Sequence, residues 1–443
     1  MGDTQDANDA QEPHAPQLDR ELPSTPLFDD ETPFATMMAS FDEAAERLGL
    51  GEVEYQILRK SDREIAVTVP VPLDDGSFAL FQGYRIQHNQ GLGPFIGPLR
   101  IAEDLRIDEL RALAAWVTWK CAVLGLPFGG AAGGLCMDPD RHSAGELERA
   151  VRRYTANLLG DIGPERDVIS PDVTAGKQVM AWILDTTSRH ARHTVNPAVT
   201  GKPVELGGSA GSEQAVARGL AIITRLATAH FGMPRSPLDF LIQGAGNVGG
   251  NLALMLHADG QRVVGLSDVH GGLYNADGLD VPAMLAHRER HGSLADYEGD
   301  CESLTGAEFL RRPCDVLVPC AVANAIHSRN AEDVNAKLIV EGAHGPVSLR
   351  ADRILERREI PVVPDILANG GGMVVSYFEW VQGRAGLSWA ENVLDRRLIR
   401  FMREAWNAVR ERRDEHGVSL RTAANLLAVE RVATADLQRG IYA

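Results

Sequence analysis

The chain has 443 residues, too long for one ordinary domain and enough for two or three cores. Its 61 acidic residues against 44 basic ones leave a net charge of -17, which argues against nucleic acid as a partner. No apolar run approaches the roughly eighteen residues of a membrane span. The first residues lack the basic and apolar blocks of a secretory signal, and the five cysteines form no C-x-x-C pair. Reduced thiols, no metal site and a cytoplasmic location are therefore expected.

Residues 1–32 are rich in Asp, Glu, Pro and Gln and predict a disordered acidic tail. Helical spacing of Met37, Met38, Phe41, Ala44, Ala45 and Leu48 predicts a helix from Thr36. Ile65, Val67, Val69 and Val71 alternate as a strand with one buried face. Asp74-Asp75-Gly76 then turns the chain into a returning strand, Phe78 to His88. A longer helix is predicted over Leu105 to Leu124, with Asp108 and Glu109 in its first turn and Lys120 near its end. A lysine there either complements the helix dipole or binds a ligand.

Leu126 to Gly134 reads LPFGGAAGG, with four glycines in six residues. A glycine loop of this kind is expected to bring bare backbone against a small ligand. Ser143-x-x-Glu146 is a capping box that opens a helix to Leu159. Asp172, after Pro171, suits either a helix N-cap or an acid–base group.

Beyond Leu238 an apolar strand runs into Gly244-x-Gly246-x-x-Gly249, with Asn247 and Val248 inside the motif. A helix follows to about Leu256. A second strand, Arg262 to Leu266, then leads to Asp268, about twenty residues past the glycines. In a dinucleotide fold the pyrophosphate rests on free N–H groups at the helix start, and the acid accepts the ribose hydroxyls. Asp268 would repel an added 2′-phosphate, so NAD is expected rather than NADP. Strands Cys314 to Pro319, Lys337 to Val340 and Ile360 to Val363 follow. Two amphipathic helices, Val393 to Val409 and Leu420 to Ala433, are separated at Gly417.

Several of these stretches, in order, resemble the glutamate dehydrogenase family. They are FQGYRIQHNQGLGPFIGPLR from Phe81, LPFGGAAGG, IGPERDVISPDV, VTGKPVELGGSAGS from Val199, PCAVAN, EGAHGPVS and GGGMVVSYFEW. The resemblance implies an α/β chain of three parts. They are an N-terminal substrate and oligomerisation domain over 33–198, a Rossmann dinucleotide-binding domain over 199–370, and a helical segment over 371–443 that closes the cleft. It implies NAD(P)-dependent interconversion of an amino acid and its 2-oxo acid, in a hexamer. By residue, it implies that Lys120 takes the α-carboxylate, Ser376 helps hold the substrate side chain, and Asp172 shuttles protons. Gly244, Gly246, Asn247, Val248, Gly249, Asp268, Asn324 and Asn369 would hold the cofactor.

The chain departs from the family pattern at five lining positions. Ile96 and Ala132 stand where the family has lysines, the second of them the catalytic one. Ser212 replaces an arginine, Val216 a threonine and His344 an asparagine. His344 is read as a drifted position rather than a new base, since no carboxylate lies near it in sequence. Two functions stay open: a dehydrogenase with altered chemistry or an aliphatic substrate, and a non-catalytic, ligand-sensing subunit of a homo- or hetero-hexamer with an active paralogue. A purely structural subunit is the plainest third reading.

Overall fold

The computed structural model describes residues 33–233 and 237–440, so the expected acidic tail lies outside the described residues. Two sheets organise the chain. The first holds β1 (Arg63–Pro72), β2 (Phe78–Asn89), β3 (Phe95–Ile101), β4 (Gly129–Leu135) and β5 (Asp167–Ser170), in the order β1-β2-β4-β3-β5. The expected hairpin is present: β1 and β2 run antiparallel, with Pro72 opposite Phe78. Strand β3 is parallel to both β4 and β5.

The helices of this half are α1 (Pro33–Leu48), α2 (Glu52–Arg59), α3 (Ile107–Val123), α4 (Ala144–Asn157) and α5 (Lys177–Ala191). Helix α4 opens on the capping box that the sequence predicts, with Ser143 and Glu146 each bonded to the other's backbone N–H. Helix α2 and strand β3 were not anticipated.

The glycine-rich stretch corrects an expectation. Gly129–Leu135 is a fully buried strand near the middle of the sheet, not a loop. Its glycines serve close packing on both faces. A Cβ on Gly130 would lie 2.2 Å from the Ala114 carbonyl oxygen in α3, and one on Gly133 would lie 2.6 Å from the Tyr154 hydroxyl in α4. Only a residue without a side chain lets the helices approach so near.

The second sheet holds β6 (Asp239–Gln243), β7 (Arg262–Asp268), β8 (Gly271–Tyr274), β9 (Glu302–Leu304), β10 (Cys314–Pro319), β11 (Ala336–Val340) and β12 (Val362–Val363), in the order β12-β11-β10-β6-β7-β8-β9. Five strands run parallel, while β8 and β9 add an antiparallel edge. Around them lie α6 (Ala215–His230), α7 (Asn247–Ala258), α8 (Val281–His291), α9 (Gly306–Leu310), α10 (Leu349–Arg357) and α11 (Asp365–Ala368). This is a doubly wound α/β sheet of the dinucleotide-binding kind.

Helices α12 (Gly371–Ala385), α13 (Glu391–His416) and α14 (Leu420–Arg439) return to the first half. Trp380 Nε1 donates to the Pro164 carbonyl at 3.1 Å, and Arg431 Nη1 donates to the Ala122 carbonyl, at the end of α3, at 2.7 Å. Lys202 and Glu379 form a fully buried ion pair at 2.7 Å beside the same crossing. No described helix is long and apolar enough to cross a membrane.

Candidate nucleotide and carboxylate cleft

Every loop of interest in the second half leaves the carboxyl end of a parallel strand: Gly244 after β6, Cys320 after β10, Glu341 after β11 and Asp365 after β12. Ligands bind along this edge in open α/β sheets. Gly244 has φ +99°, which favours glycine. A Cβ on Gly249 would lie 1.9 Å from the Gly244 carbonyl oxygen, so the turn closes only with glycine at both places. Gly246 caps α7 without a side-chain bond and faces open space. The first N–H groups of α7 therefore remain available to an anion. Asn247 is exposed, with Nδ2 donating to the Glu213 carbonyl at 3.0 Å, and Val248 is half-buried. These features fit a pyrophosphate.

Asp268 ends β7 as the sequence predicts, with both oxygens already engaged. Oδ1 accepts from His270 N at 2.8 Å, and Oδ2 accepts from Leu294 N at 2.6 Å and Ser293 Oγ at 3.1 Å. Partial burial pushes its pKa up, but these backbone donors outweigh that and leave it below the ordinary carboxylate value. Oδ1 keeps a lone pair for a ribose hydroxyl.

At the other end of the cleft the structure brings together Lys120, Arg100, Asp172, His344, Asp365 and Asn369. Lys120, on the last turns of α3, is buried. Its pKa is lowered by that burial, against the opposing pull of Asp365. Arg100 Nε donates to Asp172 Oδ2 at 2.8 Å. Asp172 does not cap a helix, since the N-cap of α5 is Gly176. His344 lies in the loop after β11, with Lys120 and Arg100 as its charged neighbours. That loop is tied at several points. Asn324 N donates to Gly345 O at 2.9 Å, Gly345 N donates to Asp365 Oδ2 at 2.9 Å, and Asn369 Nδ2 donates to Ala343 O at 3.0 Å. Asn369 Oδ1 is buried with no protein donor, an acceptor suited to a ligand N–H.

Two further positions are enclosed by apolar packing. Ala132 is 0% exposed and packs with Ile86, Leu110, Leu113 and Ala114 beneath α3. Ile96 is likewise enclosed, flanked across the sheet by Gly130 and Val168. Ser376 is half-buried on α12, and on the same helix a Cβ at Gly372 would meet Val216 Cγ2 at 2.8 Å. Sequence reasoning assigned no role to Arg100 or Asp365. Arg100 lay inside a quoted motif, whereas Asp365 stood out only as a residue after a short strand.

Behind the cleft runs a buried ionic network. Arg421 Nη2 of α14 donates to Glu341 Oε1 at 2.8 Å, and Glu341 also accepts from Val347 N and Asp365 N. Glu341 thus fixes both ends of the segment that carries His344 and the start of α11.

Comparison with known proteins gives this cleft its context. Residues 207–440 match the family Glutamate/Leucine/Phenylalanine/Valine dehydrogenase, and residues 61–189 match its dimerisation domain. A glutamate dehydrogenase of Thermotoga maritima is 45% identical over 91% of this chain and 97% of its own. A catabolic NAD-specific glutamate dehydrogenase of Bacillus subtilis is 39% identical over 92% of this chain and 96% of its own. Among solved structures, a hetero-hexameric glutamate dehydrogenase from Thermus thermophilus in a Leu-bound form superposes with a TM-score of 0.89, at 37% identity over 93% of this chain and 98% of that one. The fold is that of the amino-acid dehydrogenases. The chain belongs to the Glu/Leu/Phe/Val dehydrogenase family, and the curated relatives it matches are glutamate dehydrogenases.

Proposed function

We propose that this chain is a ligand-sensing, catalytically impaired member of its family that works in a hexamer beside an active paralogue. What supports the reading is the enclosed methyl group of Ala132, which by resemblance stands at the family's catalytic lysine position. A methyl group accepts no proton from water. Loss of a general acid–base group alone costs ~10²–10⁴-fold in rate, and the missing amine would also have polarised the substrate carbonyl.

The binding features are retained. Lys120 captures the α-carboxylate of an amino acid or 2-oxo acid, and Asn369 offers a buried acceptor to a ligand N–H. The glycine turn and α7 hold the pyrophosphate, and Asp268 favours NAD over NADP. When bound, NAD supplies the hydride acceptor of the family reaction. Asp172, the proton shuttle by resemblance, is held as an ion pair by Arg100 rather than facing a lysine base. Ile96 offers no cation to a side-chain carboxylate, which favours an aliphatic ligand side chain. The hetero-hexameric Thermus thermophilus enzyme supports mixed assembly as a precedent.

The test is to produce a lysine-bearing paralogue alone and together with this chain. Joint assembly is expected, with paralogue turnover that changes on adding an amino acid only when this chain is present. Failure to co-assemble, or an unchanged response, contradicts the reading.

A further inference from the structure

We propose that His344, Lys120 and Arg100 form a three-cation seat for a carboxylate ligand, and that His344 takes up a proton from solvent as the ligand binds. The proposal rests on the reading that the cleft still binds an amino acid or 2-oxo acid, but not on the absence of turnover.

The three groups come from separate elements: Lys120 from α3, Arg100 from β3 and His344 from the loop after β11. That loop is tied on both sides of His344, at Ala343 by Asn369 and at Gly345 by Asn324 and Asp365. The imidazole is thereby presented from a fixed backbone, with part of its surface reachable from the cleft although protein atoms crowd around it. Neither Lys120 Nζ nor the His344 ring makes a hydrogen bond among the described residues. Arg100 commits Nε to Asp172 and leaves its two Nη groups without a protein acceptor there. Lys120 Nζ, the His344 ring and the two Arg100 Nη groups thus lack a protein acceptor among the described residues, with both cations near enough to His344 to act on its charge; an anionic ligand supplies such an acceptor.

The nearby carboxylates are already engaged: Asp172 by Arg100 and Val173 N, Asp365 by Gly345 N and Ile366 N, and Glu341 by Arg421. None of them hydrogen-bonds His344. In the free cleft the Lys120 charge, then burial, then Arg100 hold the imidazole well below its ordinary pKa, so it is neutral near pH 7. An arriving carboxylate cancels the field of both cations and adds an opposite charge, so the imidazole pKa rises. The sign follows from linkage. The complex binds more protons than the free chain, so affinity strengthens as pH falls through the range in which the bound imidazole titrates. The asparagine found here in the family motif has no such proton to gain.

The full-length chain is titrated calorimetrically at pH 7 with 2-oxoglutarate and with 4-methyl-2-oxopentanoate, in two buffers of different ionisation enthalpy. Proton uptake approaching about one per site is expected for at least one of them. In His344→Asn the uptake is expected to vanish, and the dissociation constant at pH 6 to weaken by roughly tenfold, the equivalent of one pKa unit. Binding without proton uptake, equal uptake in the variant, or no binding of either acid overturns the proposal. A nicotinamide-reduction assay on the same preparation keeps the two readings apart. Turnover with uptake through His344 would end the sensor reading alone, and a silent chain without uptake would end this one alone.

Discussion

Arg100 Nε lies 2.8 Å from Asp172 Oδ2, and this pair links β3 to the turn after β5. The contact sets an arginine, which never gives up its proton at working pH, against the residue proposed above, by resemblance, as a proton shuttle. The carboxylate is mostly covered and the guanidinium about one-third exposed.

A pair of that exposure contributes about 1 kcal/mol or less to stability. Arg100→Ala is therefore expected to move the thermal midpoint by only a few degrees while weakening 2-oxo acid binding about tenfold. Calorimetric unfolding and ligand titration check both parts. A large loss of stability with unchanged binding would make the pair structural.

Ala132 is enclosed on all sides, so Ala132→Lys must push its stem past Leu110 and Leu113. Overpacking of this kind costs ~1–3 kcal/mol. A urea unfolding curve is expected to shift by that amount, and glutamate turnover is not expected to appear even with Ile96→Lys added. Full stability together with restored turnover would mean that the strand has kept a route for the amine into the cleft.

Arg421→Met removes one partner of a buried ion pair and leaves Glu341 facing Asp352 and Asp365 without compensation. Breaking such a pair costs ~3–5 kcal/mol. Hydrogen exchange is expected to rise across residues 342–347, which Glu341 and Asp365 hold. Unchanged exchange there would detach the network from the His344 loop.

Asp62 is pushed up to about 6, first by burial and then by the Asp436 carboxylate. The folded chain binds this proton more tightly than the unfolded one. The cost is therefore absent below about pH 4, grows as pH rises, and is complete above about pH 6. Asp62 is partly exposed, so screening limits the effect to about 1 kcal/mol. Asp62→Asn is expected to raise the thermal midpoint at pH 8 and leave it unchanged at pH 4. A gain at pH 4 would refute the assignment.

The readable parts of the chain were those where local rules and tertiary structure agree. The strand, glycine turn and helix from Asp239 to Ala258 carry their own backbone requirements, and so does the Ser143 capping box. The stretch Gly129–Leu135 was misread because glycine and alanine carry no strand signal. Its state is decided by α3 and α4, which close onto it from both faces. Strands β8 and β9 were missed for their brevity, and they matter only as an edge. The surroundings of His344 were hidden for a different reason: Lys120 and Arg100 reach it only once the two sheets face each other. No spacing rule connects loops from separate domains.

The most direct measurement is nicotinamide reduction by the purified chain alone, with NAD and a panel of amino acids that includes glutamate and leucine. On the proposal that Ala132 replaces the base, the rate is expected to be at least ~10²-fold below that of a lysine-bearing relative, whichever amino acid is supplied. Turnover at an ordinary dehydrogenase rate with any of them would contradict the central reading and make this chain a working enzyme.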